Sequence, residues 1–138
     1  MTNKEWKTFM MHRILLAVLI VGLTVVAVRT AGSAETIARA VATELSARDF
    51  DKVTERFNGQ MAAALSKERL SSTWDQVTEQ IGAFNGVTAA RNDTVQGYQR
   101  VVLTCAFEKT TAYLTVVIDS DSKIAGMTIT PTPPPAAP

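Results

Sequence analysis

The sequence predicts an α+β fold in which about three helices pack on a roughly four-stranded antiparallel sheet, after an N-terminal membrane or signal helix. Three observations lead to this prediction. Apolar residues recur with a helical period up to Gly86 and alternate with a strand period after it. The connections between the alternating runs are short, which favours antiparallel neighbours. Helices that precede strands in this way are typical of a sheet covered by helices on one face.

Residues 1–34 have the features of a signal peptide or a membrane anchor. The uncharged apolar run 14–28 follows a basic stretch, and small residues come after it. A signal cleaved near Ser33 or Ala34 and an uncleaved anchor that holds residues 14–28 in the membrane both fit this pattern. In either case we expect the rest of the chain to face the outside of the cytoplasm, membrane-anchored or secreted.

Residues 35–138 carry ten Lys and Arg against twelve Asp and Glu, so their surface is mixed in sign. A nucleic-acid-binding protein would carry a dense basic patch, and we therefore expect no nucleic-acid partner. Cys105 is the single cysteine of the chain, which excludes an internal disulfide. We interpret it as a small buried residue of a strand.

Three helical segments are predicted before Gly86, with a short helical turn at residues 60–66 between the second and the third. The first covers residues 35–47, where apolar side chains recur four residues apart, and the second is capped by Asp49 and ended by Asn58-Gly59. The third begins at Ser66, Ser71 or Ser72 and ends at Gly82. Its apolar stripe contains Trp74, and we expect this helix to lie across the sheet with Trp74 as its anchor.

Four strands are predicted over residues 87–93, 98–108, 112–119 and 123–130, with Gln96-Gly97 as the first connection. The sheet completes an α+β domain at residues 35–131. The proline- and alanine-rich residues 132–138 are predicted to form an extended, disordered tail.

The residues available for catalysis are few. His12, the single histidine, lies in the export segment, so acid–base chemistry would depend on carboxylate pairs such as 49/51, 75/79 or 119/121. Asp119 and Asp121 begin like a calcium loop, but the sixth and twelfth positions hold Ile124 and Thr130, so a hairpin turn is predicted. We expect no metal and no cofactor. Asn92 begins a glycosylation sequon.

The large aromatic residues are the candidates for a binding groove or an interface. A helix that rests on a curved sheet can leave a pocket lined by such rings, and the alternative is that they fill the core. The five residues are Trp74, Phe84, Tyr98, Phe107 and Tyr113.

Residues 35–131 resemble the domain-of-unknown-function 3887 family (DUF3887). The resemblance rests on Asp49, Phe50, Phe57, Met61, Ala64, Leu65, Leu70, Trp74 and Gly82, and on a final element with Ile124, Gly126, Met127 and Pro131. It implies a cystatin-like, nuclear-transport-factor-2-like α+β fold and supplies no catalytic residues. Function inferred from fold alone is an analogy.

Three functions remain open at this point. The first is a non-catalytic exported or membrane-anchored domain that binds a small molecule or a protein. The second is a homodimeric structural module whose exposed sheet face is the interface. The third is an enzyme that depends on carboxylates such as Asp119 or Asp121.

Overall fold

The computed structural model describes residues 33–138, and the predicted apolar run 14–28 lies outside them. The helices are α1 (Ser33–Ser46), α2 (Phe50–Glu55), α3 (Gly59–Ala64) and α4 (Lys67–Ile81). The strands are β1 (Phe84–Val95), β2 (Tyr98–Phe107), β3 (Thr111–Ile118) and β4 (Ile124–Thr130). The α+β prediction is confirmed, with four helices in the described residues rather than about three. None of these four is long and apolar enough to cross a membrane.

The additional helix corrects the prediction for Asn58 and Gly59. The Asn58 side chain accepts a hydrogen bond of 2.8 Å from the Met61 N–H, so Asn58 caps the start of α3 instead of ending α2. The α2 helix has already ended at Glu55. The predicted caps Asp49 and Ser66 are confirmed, because their side chains accept from Lys52 and Arg69 N–H groups.

The four strands form an antiparallel meander in the order β1-β2-β3-β4. Gln96 and Gly97 connect β1 to β2 with φ angles of 51° and 83°, and two positive φ angles suit a tight hairpin. The β1 strand begins at Phe84, three residues before its predicted start, because Phe84 still pairs with Phe107 beyond two register shifts.

The helices cover one face of the sheet, but the helix over the centre is α1 and not α4 as predicted. The α1 helix lies across β1, β2 and β3. Its buried Ala34, Ala38 and Ala42 share one helix face, and such small side chains let a helix approach a sheet closely. The α4 helix packs beside α2, and its bulky Trp74 reaches the sheet.

Candidate functional site

Three of the five aromatic residues that the sequence singles out form one cluster. The Trp74 ring centre lies 6.2 Å from that of Phe84 and 6.0 Å from that of Phe107. The two phenylalanine rings are 5.5 Å apart and meet edge to face, a favourable arrangement of aromatic quadrupoles. Trp74 and Phe107 are buried, and Phe84 is half-buried. This cluster fastens α4 to β1 and β2.

The cavity beside the cluster is too small for a ligand. Its volume is about 10 Å³. Its lining is apolar and consists of Ala42, Trp74, Phe84, Cys105, Phe107, Leu114 and Ile129. A space of this size holds about one water molecule at most, and an apolar one stays dry. Trp74 therefore fills the space between α4 and the sheet.

Gly82 sets the turn that brings Phe84 onto Trp74. Its φ of 89° and ψ of −172° lie in a region that is essentially restricted to glycine. A Cβ atom at this position would stand 2.5 Å from the Cβ of Glu108. The predicted end of the helix at Gly82 is confirmed, and its N–H donates to the Thr78 carbonyl at 2.9 Å.

An open groove of about 520 Å³ follows the solvent side of α4, where the predicted carboxylates 75 and 79 lie. It is lined by Phe50, Lys67, Glu68, Ser71, Ser72, Asp75, Gln76 and Glu79. Arg48 pairs with Asp75 at 2.6 Å, and Lys67 pairs with Asp51 at 2.8 Å. The charged side chains of the lining are three carboxylates and one lysine, so the groove is polar and mixed in charge, with an excess of negative charge.

The other two aromatic residues lie on the face of the sheet that the helices leave open, which we call the outer face. Its side chains come from all four strands and are Arg91, Asp93, Tyr98, Arg100, Val102, Thr104, Tyr113, Thr115, Val117, Thr128 and Thr130. Tyr98, at 43% exposure, lies near the β1–β2 hairpin, whereas Tyr113 pairs with Thr104 and Thr130 towards the opposite end. The five predicted residues are therefore not one site.

Residues 131–138, which we call the proline segment, lie along the outer face. The Arg91 guanidinium donates to the Pro134 carbonyl at 2.8 Å, and that of Arg100 donates to the Pro135 carbonyl at 2.8 Å. The Ala137 N–H donates to Asp93 at 3.2 Å. Since the segment leaves from the end of β4 and these partners lie on β1 and β2, it crosses the sheet from one edge to the other.

This path accounts for two buried residues on a face without helices. Val102 is 3% exposed and Thr115 is 8% exposed. The two residues pair with each other in the centre of the sheet, and Val102 also pairs with Arg91. The proline segment runs from Thr130 on β4 to Arg91 on β1, and this central pair belongs to the two strands between them.

Asp93 and Arg100 form a two-pronged ion pair beside the proline segment. The Arg100 Nε donates to Asp93 Oδ1 at 2.7 Å, and a second guanidinium nitrogen donates to Oδ2. The side chain of Asp93 is 15% exposed and that of Arg100 is 14% exposed. The Arg100 hydrogen bonds hold the pKa of Asp93 below its ordinary range. The planar guanidinium fork is thereby fixed and presents its remaining donors to the segment.

Asp119, Asp75 and Cys105 each have a pKa that their surroundings shift. The Asp119 carboxylate accepts hydrogen bonds of 3.0 Å from the Asp121 and Lys123 N–H groups, which confirms the predicted turn, and the Lys123 bond is the main cause of its lowered pKa. Arg48 lowers the pKa of Asp75, and burial raises the pKa of the Cys105 thiol. A general acid or base near neutral pH would need carboxylate shifts in the opposite direction.

Within residues 33–138, no group of three or more His, Cys, Asp and Glu side chains is placed to hold a metal ion. Asn92, the sequon residue, is exposed on β1, and its Nδ2 donates to Glu35 at 3.3 Å.

The comparison with protein families decides the family of the chain. The family model described as "Protein of unknown function (DUF3887)" matches residues 38–127. The chain belongs to this family. The DUF3887 match begins within α1 and ends within β4, so it includes most of the helical layer and of the sheet and stops before the proline segment. Comparison of this DUF3887 chain with curated proteins and with solved structures finds no match.

Sequence reasoning missed the polar residues of the outer face of this DUF3887 domain. A signal was present, because a two-residue turn at Gln96-Gly97 fixes the register of the hairpin. That register places Asp93 opposite Arg100 and Arg91 opposite Val102. Both pairs could have been predicted from the position of the turn alone.

Proposed function

We propose that the chain is a non-catalytic domain that acts outside the cytoplasm and binds a protein through its outer face. The observation that carries this proposal is the docked proline segment, since a surface that already holds an extended chain has the hydrogen-bonding groups to hold another. The export features of residues 1–34 support the location.

The filled interior favours a protein over a small molecule as the ligand. Small-molecule sites in proteins have volumes of roughly 300–1,000 Å³ and are largely apolar. The cavity beside Trp74 is about 10 Å³, and the 520 Å³ groove along α4 is open and mixed in charge. The lowered pKa values of Asp75, Asp93 and Asp119 weigh against the carboxylate-dependent enzyme.

A homodimer is the second candidate; it could use the outer face itself, or the edge of the sheet, where β1 is a twelve-residue strand. Exposed edges can pair with a second chain. However, the first half of β1 carries two register shifts, and its second half carries Arg91 and Asp93. Bulges and charges are features that keep an edge from pairing, so the outer face is the better supported surface.

Site-specific crosslinking tests this proposal. A photo-reactive amino acid replaces Tyr98 or Val117 on the outer face, and Gln76 on the groove side of α4 serves as the control. We expect an adduct with one other protein from the outer-face positions and none from Gln76. The purified partner should then bind the full chain and lose binding to Val117→Lys but not to Gln76→Lys.

Two results would overturn the proposal. Adducts that form from Gln76 alone would move the binding surface to the α4 groove. Adducts with the mass of two copies of the chain would favour the homodimer.

A further inference from the structure

The proline segment is unusual as an occupant because of the hydrogen bonds that it can make. Five of the residues 131–138 are prolines, which have carbonyl acceptors but no N–H donor. A ligand of this composition needs donors from its binding surface, and it cannot pair with a strand edge as an ordinary β-strand would.

The outer face provides that complement. Arg91 and Arg100 each donate to a proline carbonyl, at 2.8 Å in both cases. Asp93 is the acceptor for Ala137, one of the few residues of the segment that has an N–H. The two arginines thus donate to carbonyl groups of the proline run, and Asp93 accepts from the second of the two alanines that follow it.

The recognition groups act on the main chain of the segment and not on its side chains. The contacts of Arg91, Arg100 and Asp93 with residues 134–137 all reach carbonyl or amide groups. Between these contacts and β4 lie Val102 and Thr115, an apolar and a small polar side chain that suit the flat rings of prolines. Such a surface reads an extended polyproline backbone and tolerates changes of sequence.

We propose that the outer face is a binding site for an extended proline-rich segment of another protein, and that the chain's own proline segment occupies this site in cis. The proposal deepens the proposed function and rests on the outer face being the binding surface. The partner's segment displaces residues 131–138 and takes over the donors of Arg91 and Arg100. The short connection from β4 makes the cis segment a competitor that sets a threshold of affinity for the partner.

Titration with a synthetic peptide tests the proposal. The peptide has the sequence PTPPPAAP, carries a fluorophore, and is followed by fluorescence anisotropy. Its targets are the full chain and the same chain ending at Thr130. We expect the shortened chain to bind at least about 10-fold more tightly, because a tethered segment competes at an effective concentration in the millimolar range.

Variants identify the recognition groups. Arg91→Ala in the shortened chain should weaken peptide binding by about 3- to 10-fold, the value of one hydrogen bond of ordinary net strength, because Arg91 is exposed to water. Because Arg91 is exposed, this change leaves the core intact. The matched control is Arg69→Ala, at an exposed position of α4, and this variant should bind the peptide normally. The peptide PTGGGAAP keeps the carbonyl groups but is flexible, and it should bind more weakly.

Each remaining result overturns the inference. Equal binding to both chain lengths, or no effect of Arg91→Ala, would show that the outer face is not the peptide site. A full chain that dimerises with rising concentration, and loses the dimer without residues 131–138, would assign the site to the segment of a second copy. If crosslinks from Tyr98 still capture a partner while the peptide fails to bind, the proposed function stands and the proline-rich ligand is wrong.

Discussion

Gly82 and Gly59 differ in what an added methyl group would meet. At Gly82 the backbone has a positive φ and a new Cβ would collide with Glu108, whereas at Gly59 nothing lies within 4 Å and the residue begins a helix. The backbone conformation and the surrounding space thus show that the fold requires glycine at position 82 and only tolerates it at position 59.

We predict that Gly82→Ala lowers the free energy of unfolding by about 2–4 kcal/mol, since it adds backbone strain to a steric clash. Gly59→Ala should be neutral or stabilise by up to about 1 kcal/mol, because alanine favours the helix and restricts the unfolded chain. Urea unfolding of both variants provides the measurement. Equal losses at the two positions would contradict the assigned backbone conformation.

The Asp93–Arg100 pair predicts a dependence of stability on pH. Arg100 lowers the pKa of Asp93 in the folded chain below its ordinary value of 3.8. The stabilisation is therefore complete above that value and is lost as the pH falls through the folded pKa. We expect Asp93→Asn to cost about 1–3 kcal/mol at pH 7, and we expect this cost to shrink as the pH falls below 3.8.

The control for this measurement is Asp121→Asn, in an exposed turn, which should change the free energy of unfolding by less than about 0.5 kcal/mol at pH 7 and at pH 3. A cost of Asp93→Asn that stays the same from pH 7 to pH 3 would show that the ion pair does not stabilise the fold.

At the scale of elements, Trp74 is central to the packing of α4 on the sheet. Only Leu70 and Trp74 of this helix are buried, and Trp74 supplies its ring contacts with β1 and β2. The remaining apolar residues of the stripe, Val77 and Ile81, are half-buried. Trp74 thus makes the aromatic contacts of α4 with the sheet, and Leu70, Val77 and Ile81 add smaller apolar ones.

We predict that Trp74→Ala costs about 3–5 kcal/mol in urea unfolding, because it opens a cavity that Phe84 and Phe107 cannot close. Trp74→Phe should retain part of this energy, and exposed Gln76→Ala should stay within about 0.5 kcal/mol of the parent chain. If Trp74→Ala unfolded at nearly the parent's urea concentration, α4 would have to be held by other contacts.

The elements that the sequence predicts well are those with local causes. The cap at Ser66, the stop at Gly82 and the Gln96-Gly97 hairpin each depend on residues within a few positions of one another. Asn58-Gly59 was misread because the same two residues can end one helix or begin the next. The central place of α1 depends on how closely its alanines approach distant strands, which no local pattern encodes.

The candidate site was harder to predict from the sequence, because it also depends on contacts between residues that are far apart in the chain. The aromatic residues were recognised, but alternation along β2 does not say which of its two faces meets the helices, so it does not tell that Phe107 faces the core while Tyr98 faces outward. The bond from Arg91 to Pro134 joins positions 43 residues apart in the sequence. A composition rich in proline predicts an extended segment but not the surface on which it lies.

At the scale of the whole molecule, the fold and the export segment lead to one expectation about location. A reporter enzyme that is active only after export, fused behind residue 138, should be active in cells. Replacing residues 14–28 by polar residues should abolish that activity, because the apolar run drives insertion. N-terminal sequencing then separates the two alternatives, since a start near Ser33 or Ala34 indicates a cleaved signal. An active reporter without the apolar run would contradict export.

Because Cys105 is buried, the rate at which its thiol is labelled reports how often the fold opens. The thiol is 2% exposed in the middle of β2, and a reagent in solution reaches it only when the helices lift from the sheet. The rate at which a thiol reagent labels the native chain therefore counts these openings. Trp74→Ala should speed labelling far more than Gln76→Ala. Labelling of Trp74→Ala at the same rate as Gln76→Ala would show that the packing of α4 does not limit access to Cys105.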